Sequence, residues 1–201
     1  MAVWMRGVKG SLRVAVQPLA VSLARAGIQA NWLTYAGFVL NVGVALLIWQ
    51  GWLSLAGVLF LAVNALDFLD GAVARAAGTA GRYGAFLDSV LDRYSEGVVF
   101  VGLLLWFARA EDGTALLATA LALVGSFMVS YCRARAEGLG LDCEVGLLQR
   151  PERIVLLGAA MIVHEYTLLP VLIGLAILTN VTAAQRMRHV GKLFDARSRR
   201  G

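Results

Sequence analysis

Charge is scarce in this sequence. Asp, Glu, Lys and Arg make up 15% of its 201 residues, against about a quarter in an ordinary soluble domain. Hydrophobic residues make up 59% and the mean hydropathy is +0.73, which argues against a soluble class and for a membrane protein. Cysteine is scarcer still: Cys132 and Cys143 match no metal or redox spacing and point to no disulfide framework. The opening stretch "MAVWMRGVKGSLRVAVQPLAVSLARAG" lacks a sustained apolar run, so no cleavable signal peptide is expected. Neither an internal repeat nor a low-complexity segment is present, and no nucleic-acid partner is implied. Residues 1–201 read as a single domain.

What the sequence does have is apolar length. Six stretches run at about Trp32–Trp49, Trp52–Leu69, Tyr83–Ala108, Thr114–Tyr131, Pro151–Tyr166 and Leu168–Ala184, and a membrane span needs about 20 residues. The fifth is short. Basic residues decide whether to keep it. They precede the first stretch (Arg6, Lys9, Arg13, Arg25) and fill the second and fourth connections (Arg75 and Arg82; Arg133, Arg135, Arg150 and Arg153). They also fill the tail, from Arg186 and Arg188 onward. The first and fifth connections carry none, and the third only Arg109. Six spans with both termini in the cytoplasm satisfy this alternation; five would put the basic tail outside. The fold expected is therefore an all-α integral membrane protein. Residues 1–28 form an interfacial amphipathic helix, kinked or divided at Pro18, and 29–190 a six-helix core. Residues 191–201 form a basic cytoplasmic tail. Glycines within the spans, among them Gly43, Gly57, Gly102, Gly125 and Gly174, predict close helix approach and a homodimer face.

Against this background the stretch "DFLDGAVARAAGTAGRYGAFLDSVLD", residues 67–92, stands out. Asp67 and Asp70 are three apart, Asp88 and Asp92 four apart, and each spacing puts a pair on one helix face. The turn "AAGTAG" (76–81) folds the two helices into a hairpin on which the pairs converge at the cytoplasmic membrane face. Four clustered carboxylates do not stay ionised uncompensated. Hard oxygen donors of this kind suit Mg²⁺ or Mn²⁺, and two such ions clamp a phosphoryl group during in-line displacement. Gly71 and Gly84 offer close backbone approach, and Arg75 offers charge-assisted bonds to a diphosphate. Glu96 continues the Asp88–Asp92 face and is expected to support the site. A transporter using the same aspartates is the non-enzyme alternative. It requires charge along several spans, yet the first, fourth and sixth have no acidic residue in their interiors.

The pattern Asp67-x-x-Asp70-Gly71-x-x-Ala74-Arg75, eight residues, then Gly84-x-x-x-Asp88-x-x-x-Asp92 resembles the signature of the CDP-alcohol phosphotransferases at all eight fixed positions. The resemblance extends to length, six spans and the N-terminal helix. It implies transfer of a substituted phosphoryl group from a CDP-linked donor, usually CDP-diacylglycerol, to an alcohol, with CMP leaving. It further implies that Asp67, Asp70, Asp88 and Asp92 hold two Mg²⁺ or Mn²⁺ ions and that Asp92 is also the general base. Gly71, Ala74, Arg75 and Gly84 would line the CDP pocket. Asn31 and Thr34 resemble a less specific family feature that touches the nucleotide; an N-cap role for Asn31 is the alternative. No Ser-His or Cys-His pair is evident, which favours direct transfer over a covalent intermediate.

The acceptor is sought in "SYCRARAEGLGLDCEVGLLQRPERIVL". Its arginines satisfy the positive-inside rule, but set at helix ends around one cavity they would also cradle a second phosphate. The stretch is similar to the inositol-phosphate-binding region of phosphatidylinositol-phosphate synthases. That similarity implies Arg133, Arg153 and Arg186, with Arg150 beside them, as phosphate ligands. The first position is commonly lysine in that group, and arginine keeps the charge but not the geometry. Inositol phosphate is thus the expected acceptor, with glycerol 3-phosphate the runner-up. A CDP-inositol or archaeal-type lipid donor is also compatible. His164 and Glu165 are expected in an extracytoplasmic turn, away from chemistry.

Overall fold

The computed structural model describes residues 17–79 and 81–198; the side chains at 67, 68, 70, 165 and 196–198 lie outside that description. Most of the expected interfacial helix, residues 1–16, also lies outside the described residues, while residues 17–25 are helical with Pro18 in the first turn. Six helices follow: α1 (Ala30–Trp49), α2 (Leu53–Ala76), α3 (Arg82–Arg109), α4 (Gly113–Gly138), α5 (Arg150–Ile162) and α6 (His164–Ser198). No strand occurs among the described residues.

Local chemistry sets the helix ends. Asp112 caps α4 by accepting from the Ala115 N–H at 2.9 Å. The Gln149 N–H donates to Glu152 at 2.9 Å, half of a capping box at the start of α5. At the end of α2, Gly78 donates to the Arg75 carbonyl and Thr79 to that of Ala74, the paired bonds of a Schellman motif. Gly78 sits at φ +66°, the left-handed conformation this motif needs. The expected 76–81 turn therefore has a defined geometry at its start, and Ala80 lies outside the described residues.

Among the described residues four segments are long and apolar enough to cross a membrane: Ala30–Trp49, Leu53–Ala76, Gly113–Gly138 and Tyr166–Asp195. The chain has the character of an integral membrane protein. Helix α3 has 28 residues, about 42 Å at 1.5 Å per residue, but its charged positions break the apolar run. Helix α5 has 13 residues, about 20 Å, against a hydrocarbon core of about 30 Å. The fifth stretch also ends earlier than its hydropathy indicates. The break falls at Val163, and His164 begins α6 instead of occupying a turn. The Ser54 Oγ helps fix this break, donating to the Ile162 carbonyl at 2.8 Å.

The chain divides into two compact units. The first combines Met1–Val44 with Leu59–Val99, and the second Ala45–Val58 with Phe100–Gly201. In the first, Phe38 and Tyr94 meet edge to face with ring centroids 6.3 Å apart, and Phe60, Val63 and Val73 are buried. In the second, glycines carry the helix contacts. A Cβ at Gly102 would stand 2.7 Å from the Ala45 carbonyl oxygen, and one at Gly57 2.7 Å from that of Gly158. A Cβ at Gly125 would strike the Thr179 hydroxyl, and Asn180 donates across to the Leu121 carbonyl at 3.1 Å, fastening α6 to α4. Not every glycine works this way: Gly43 and Gly174 have nothing within 4 Å of a built Cβ.

Candidate active site

The first unit contains a cavity of about 610 Å³. The residues preceding α1, the C-terminal turns of α2 and the N-terminal turns of α3 wall it. It gathers Asn31, Thr34, Gly71, Ala74, Arg75, Gly84 and Asp88. All six positions assigned to the nucleotide from the sequence thus share one cavity with Asp88. The hairpin explains the convergence: α2 enters the turn and α3 leaves it, so residues just before and just after it meet.

The two glycines behave differently. A Cβ at Gly71 would meet the Arg75 guanidinium at 3.3 Å, so the missing side chain gives that guanidinium its place one turn away. A Cβ at Gly84 would stand 3.6 Å from the Asn31 Oδ1, so this glycine keeps the cavity open. Helix α1 begins at Ala30, which puts Asn31 inside the first turn with its side chain toward Gly84. The N-cap alternative for Asn31 is therefore not what the structure has. The Thr34 hydroxyl donates to the Ala30 carbonyl at 3.2 Å and remains on the cavity wall.

Asp88 lines the cavity and Asp92 lies one turn further along α3. The Asp92 side chain is 15% exposed, with its Oδ2 3.7 Å from the Arg93 Nη1. Arg93 was not legible as a site residue. Its guanidinium also donates to the Ser89 carbonyl at 2.6 Å, which holds it along α3 beside the aspartate; its adjacency to Asp92 was the one available signal. Helix α2 runs unbroken through positions 67 and 70, whose side chains lie outside the described residues. The described side chains by themselves form no group of three metal-binding residues. The donor set nevertheless fits a hard divalent cation: Asp88 on the wall of a cavity that also holds Arg75, and Asp92 one helical turn on. Glu96 is buried at 4% exposure, one turn beyond Asp92. A second group missed from the sequence is Ala24, Gly27, Ile28 and Gln29, which line the same cavity. The end of the leading helix and the turn after it thus help wall the site.

The arginines belong to the second unit. Arg153 and Arg186 are 2% and 3% exposed, which is rare for guanidinium groups. Arg186 donates from Nε to the Val145 carbonyl at 2.8 Å and from Nη1 to that of Val129 at 2.5 Å. Arg150 is half-buried at the first position of α5, with Pro151 next to it. Arg133 differs from these: its side chain is 43% exposed, 2.7 Å from Glu137 and 3.7 Å from Glu144. An anion at Arg133 must compete with two carboxylates; at Arg153 and Arg186 it meets buried positive charge.

Comparison with known proteins adds an independent line. The sequence profile described as CDP-alcohol phosphatidyltransferase matches residues 28–184. The chain is 38% identical over 180 residues to the phosphatidylinositol phosphate synthase of Mycobacteroides abscessus, covering 86% of this chain and 82% of that one. It is 37% identical over 183 residues to the archaetidylinositol phosphate synthase of Methanothermobacter thermautotrophicus, covering 89% and 90%. Among solved structures it is similar to the Mycobacterium tuberculosis phosphatidylinositol phosphate synthase with CDP-DAG bound. There the TM-score is 0.83 at 35% identity, over 87% of this chain and 92% of that one. The same protein in complex with manganese and citrate gives a TM-score of 0.83 over 87% and 88%.

Proposed function

The chain belongs to the CDP-alcohol phosphatidyltransferase family, and on that premise we propose that it transfers a phosphatidyl group from CDP-diacylglycerol to a hydroxyl of inositol phosphate, releasing CMP. It is an enzyme, a transferase of phospholipid biosynthesis. The observation that carries the donor half is the single cavity gathering Asn31, Thr34, Gly71, Ala74, Arg75 and Gly84 beside Asp88. What supports the acceptor half is the buried pair Arg153 and Arg186. The names of the two relatives share an inositol phosphate product and differ in the lipid.

In this reading Asn31, Thr34 and Gly84 admit the cytidine end of the donor, and Arg75 binds its diphosphate by charge-assisted hydrogen bonds. Asp67, Asp70, Asp88 and Asp92 hold two Mg²⁺ or Mn²⁺ ions, which when bound supply charge neutralisation at the bridging oxygen. Asp92 takes the proton of the attacking hydroxyl. The acceptor oxygen forms its bond to the lipid-bearing phosphorus as the bond from that phosphorus to the bridging oxygen breaks, and CMP departs with that oxygen. Arg153 and Arg186, with Arg150 and Arg133 nearby in sequence or space, hold the acceptor's own phosphate. Transfer is direct. All six helices cross or enter the membrane, both termini and the aspartates face the cytoplasm, and the enzyme is a homodimer.

The test is an acceptor panel. Purified protein, CDP-diacylglycerol and Mg²⁺ are incubated separately with inositol phosphate, glycerol 3-phosphate, inositol and serine, and CMP release is followed. Turnover with inositol phosphate well above the others is expected. Preference for glycerol 3-phosphate would move the acceptor assignment, and no CMP release with any alcohol would remove the donor assignment as well.

A further inference from the structure

We propose that Gly146 and Thr182 are positioning residues that set the two buried arginines for the acceptor's phosphate; this rests on the assignment of Arg153 and Arg186 made above. The segment 139–149 joins α4 to α5 without regular structure for most of its length. Leu141, Cys143 and Leu148 anchor it, at 4%, 0% and 6% exposure. Its second half is fastened to one face of α6, the face carrying Thr182 and, one turn on, Arg186.

Two hydrogen bonds and one steric fit make the fastening. The Leu148 N–H donates to the Thr182 Oγ1 at 3.3 Å, while that hydroxyl donates to the Leu178 carbonyl at 2.7 Å. Both roles of the hydroxyl are thus in use, and Thr182 is fully buried. Arg186 donates to the Val145 carbonyl at 2.8 Å. Between these two points lies Gly146, at φ +134°, a conformation essentially confined to glycine. A Cβ there would strike the Thr182 Cγ2.

The consequence reaches both arginines. Val145 and Val129 together fix two edges of the Arg186 guanidinium, so the path of the strap decides which edge remains for a ligand. Leu148 leads directly into Gln149, which caps α5, and the Arg153 N–H donates to the Gln149 carbonyl at 3.2 Å. A shift of the strap at Gly146 therefore displaces Arg186 through Val145 and Arg153 through the start of α5. Neither Gly146 nor Thr182 need touch substrate for this.

The experiment compares full-length wild type with Gly146→Ala, Thr182→Val and Thr182→Ser, measuring KM for inositol phosphate and for CDP-diacylglycerol separately. Gly146→Ala is expected to raise KM for inositol phosphate by about tenfold or more, and Thr182→Val by about fivefold, the scale of one misplaced or lost hydrogen bond. KM for CDP-diacylglycerol should stay within about twofold of wild type, and Thr182→Ser, which keeps the hydroxyl, should match wild type. Should Gly146→Ala fail to fold, the Thr182 pair decides alone. Lower Vmax and Tm with KM for inositol phosphate unchanged would overturn the proposal and leave the strap merely structural. Wild type that does not use inositol phosphate would instead overturn the acceptor assignment on which the proposal rests.

Discussion

Gly84 faces Asn31 across the cavity of the first unit: a methyl group at position 84 would stand 3.6 Å from the Asn31 Oδ1. That is ordinary van der Waals contact, so alanine fits there without disturbing the wall. It does, however, occupy donor space. Gly84→Ala should raise KM for CDP-diacylglycerol by roughly tenfold, the scale of one methyl group in a binding pocket. Gly84→Leu should abolish donor binding while leaving Tm within about 2 °C of wild type, since the added atoms enter open volume and not packed core. A large Tm drop in either variant would mean that Gly84 serves packing.

Gly102 and Gly174 form a matched pair of opposite expectation. A Cβ at Gly102 meets the Ala45 backbone at 2.7 Å, and backbone yields little. Gly102→Ala is expected to destabilise by about 1–3 kcal/mol. Nothing lies within 4 Å of a Cβ at Gly174, so Gly174→Ala should be neutral or stabilise by up to about 1 kcal/mol through helix propensity. Thermal unfolding of the two variants in the same detergent separates these outcomes. Equal effects would show that the close approach at Gly102 is not tight.

How much of this was legible in the sequence follows from what is local. The signature residues lie within 67–92, so helix periodicity and one turn suffice to bring Gly71, Ala74 and Arg75 against Gly84 and Asp88. Five of the helix starts fall within two residues of the apolar runs, but only the ends of α1 and α3 do; α2, α4 and α6 run on past their apolar runs to Ala76, Gly138 and Ser198. The α5–α6 break at Val163 was misplaced to about Tyr166 because "AAMIVHEYTLL" is apolar on both sides of the break and contains no glycine or proline to mark it. Ala24, Gly27, Ile28 and Gln29 on the cavity wall were not legible, because amphipathicity reports a face toward lipid or water and not which neighbour it meets. Gly146 and Thr182 belong to the same class of miss: their contact joins a loop to a helix 36 positions away in the chain, and no periodicity encodes it.

Asp92→Asn should lower kcat by at least about a hundredfold, the lower end of what a general base contributes. The isosteric amide keeps the contact surface, so binding of CDP-diacylglycerol should be largely spared; near-normal turnover would remove Asp92 as the base. EDTA should stop wild-type transfer, and Mg²⁺ or Mn²⁺ should restore it. Turnover that continues in EDTA would remove the metal ions from the site.

Arg153→Gln tests the acceptor's phosphate. Loss of a charge-assisted bond is expected to raise KM for inositol phosphate by about tenfold to a hundredfold. The effect on KM for CDP-diacylglycerol should be small. Arg133→Gln should do less, because Arg133 is only partly buried and already paired with Glu137 and Glu144. If the two variants behave alike, burial is not what distinguishes these arginines.

Cys143 offers a pH test of the segment that links α4 to α5. Its side chain is fully buried against Ala136 and Leu141, with Val145, Val190 and Leu193 around it. Burial pushes its thiol above the ordinary value of 9.0, and Arg186 and Arg133 offset part of that rise. The folded state therefore keeps this proton to higher pH than the unfolded state does. Stability from the neutral thiol is complete below the ordinary thiol value and declines as pH rises above it toward the raised value. Thiolate is the reactive form, so maleimide should modify half-buried Cys132 at neutral pH and leave Cys143 unmodified until the protein is unfolded or made strongly alkaline. Peptide mass spectrometry after a timed pulse reads both sites at once. Equal labelling of the two cysteines at pH 7 in folded protein would mean that the segment around Cys143 opens readily, and the strap would not be the fixed support that Arg186 and Thr182 require.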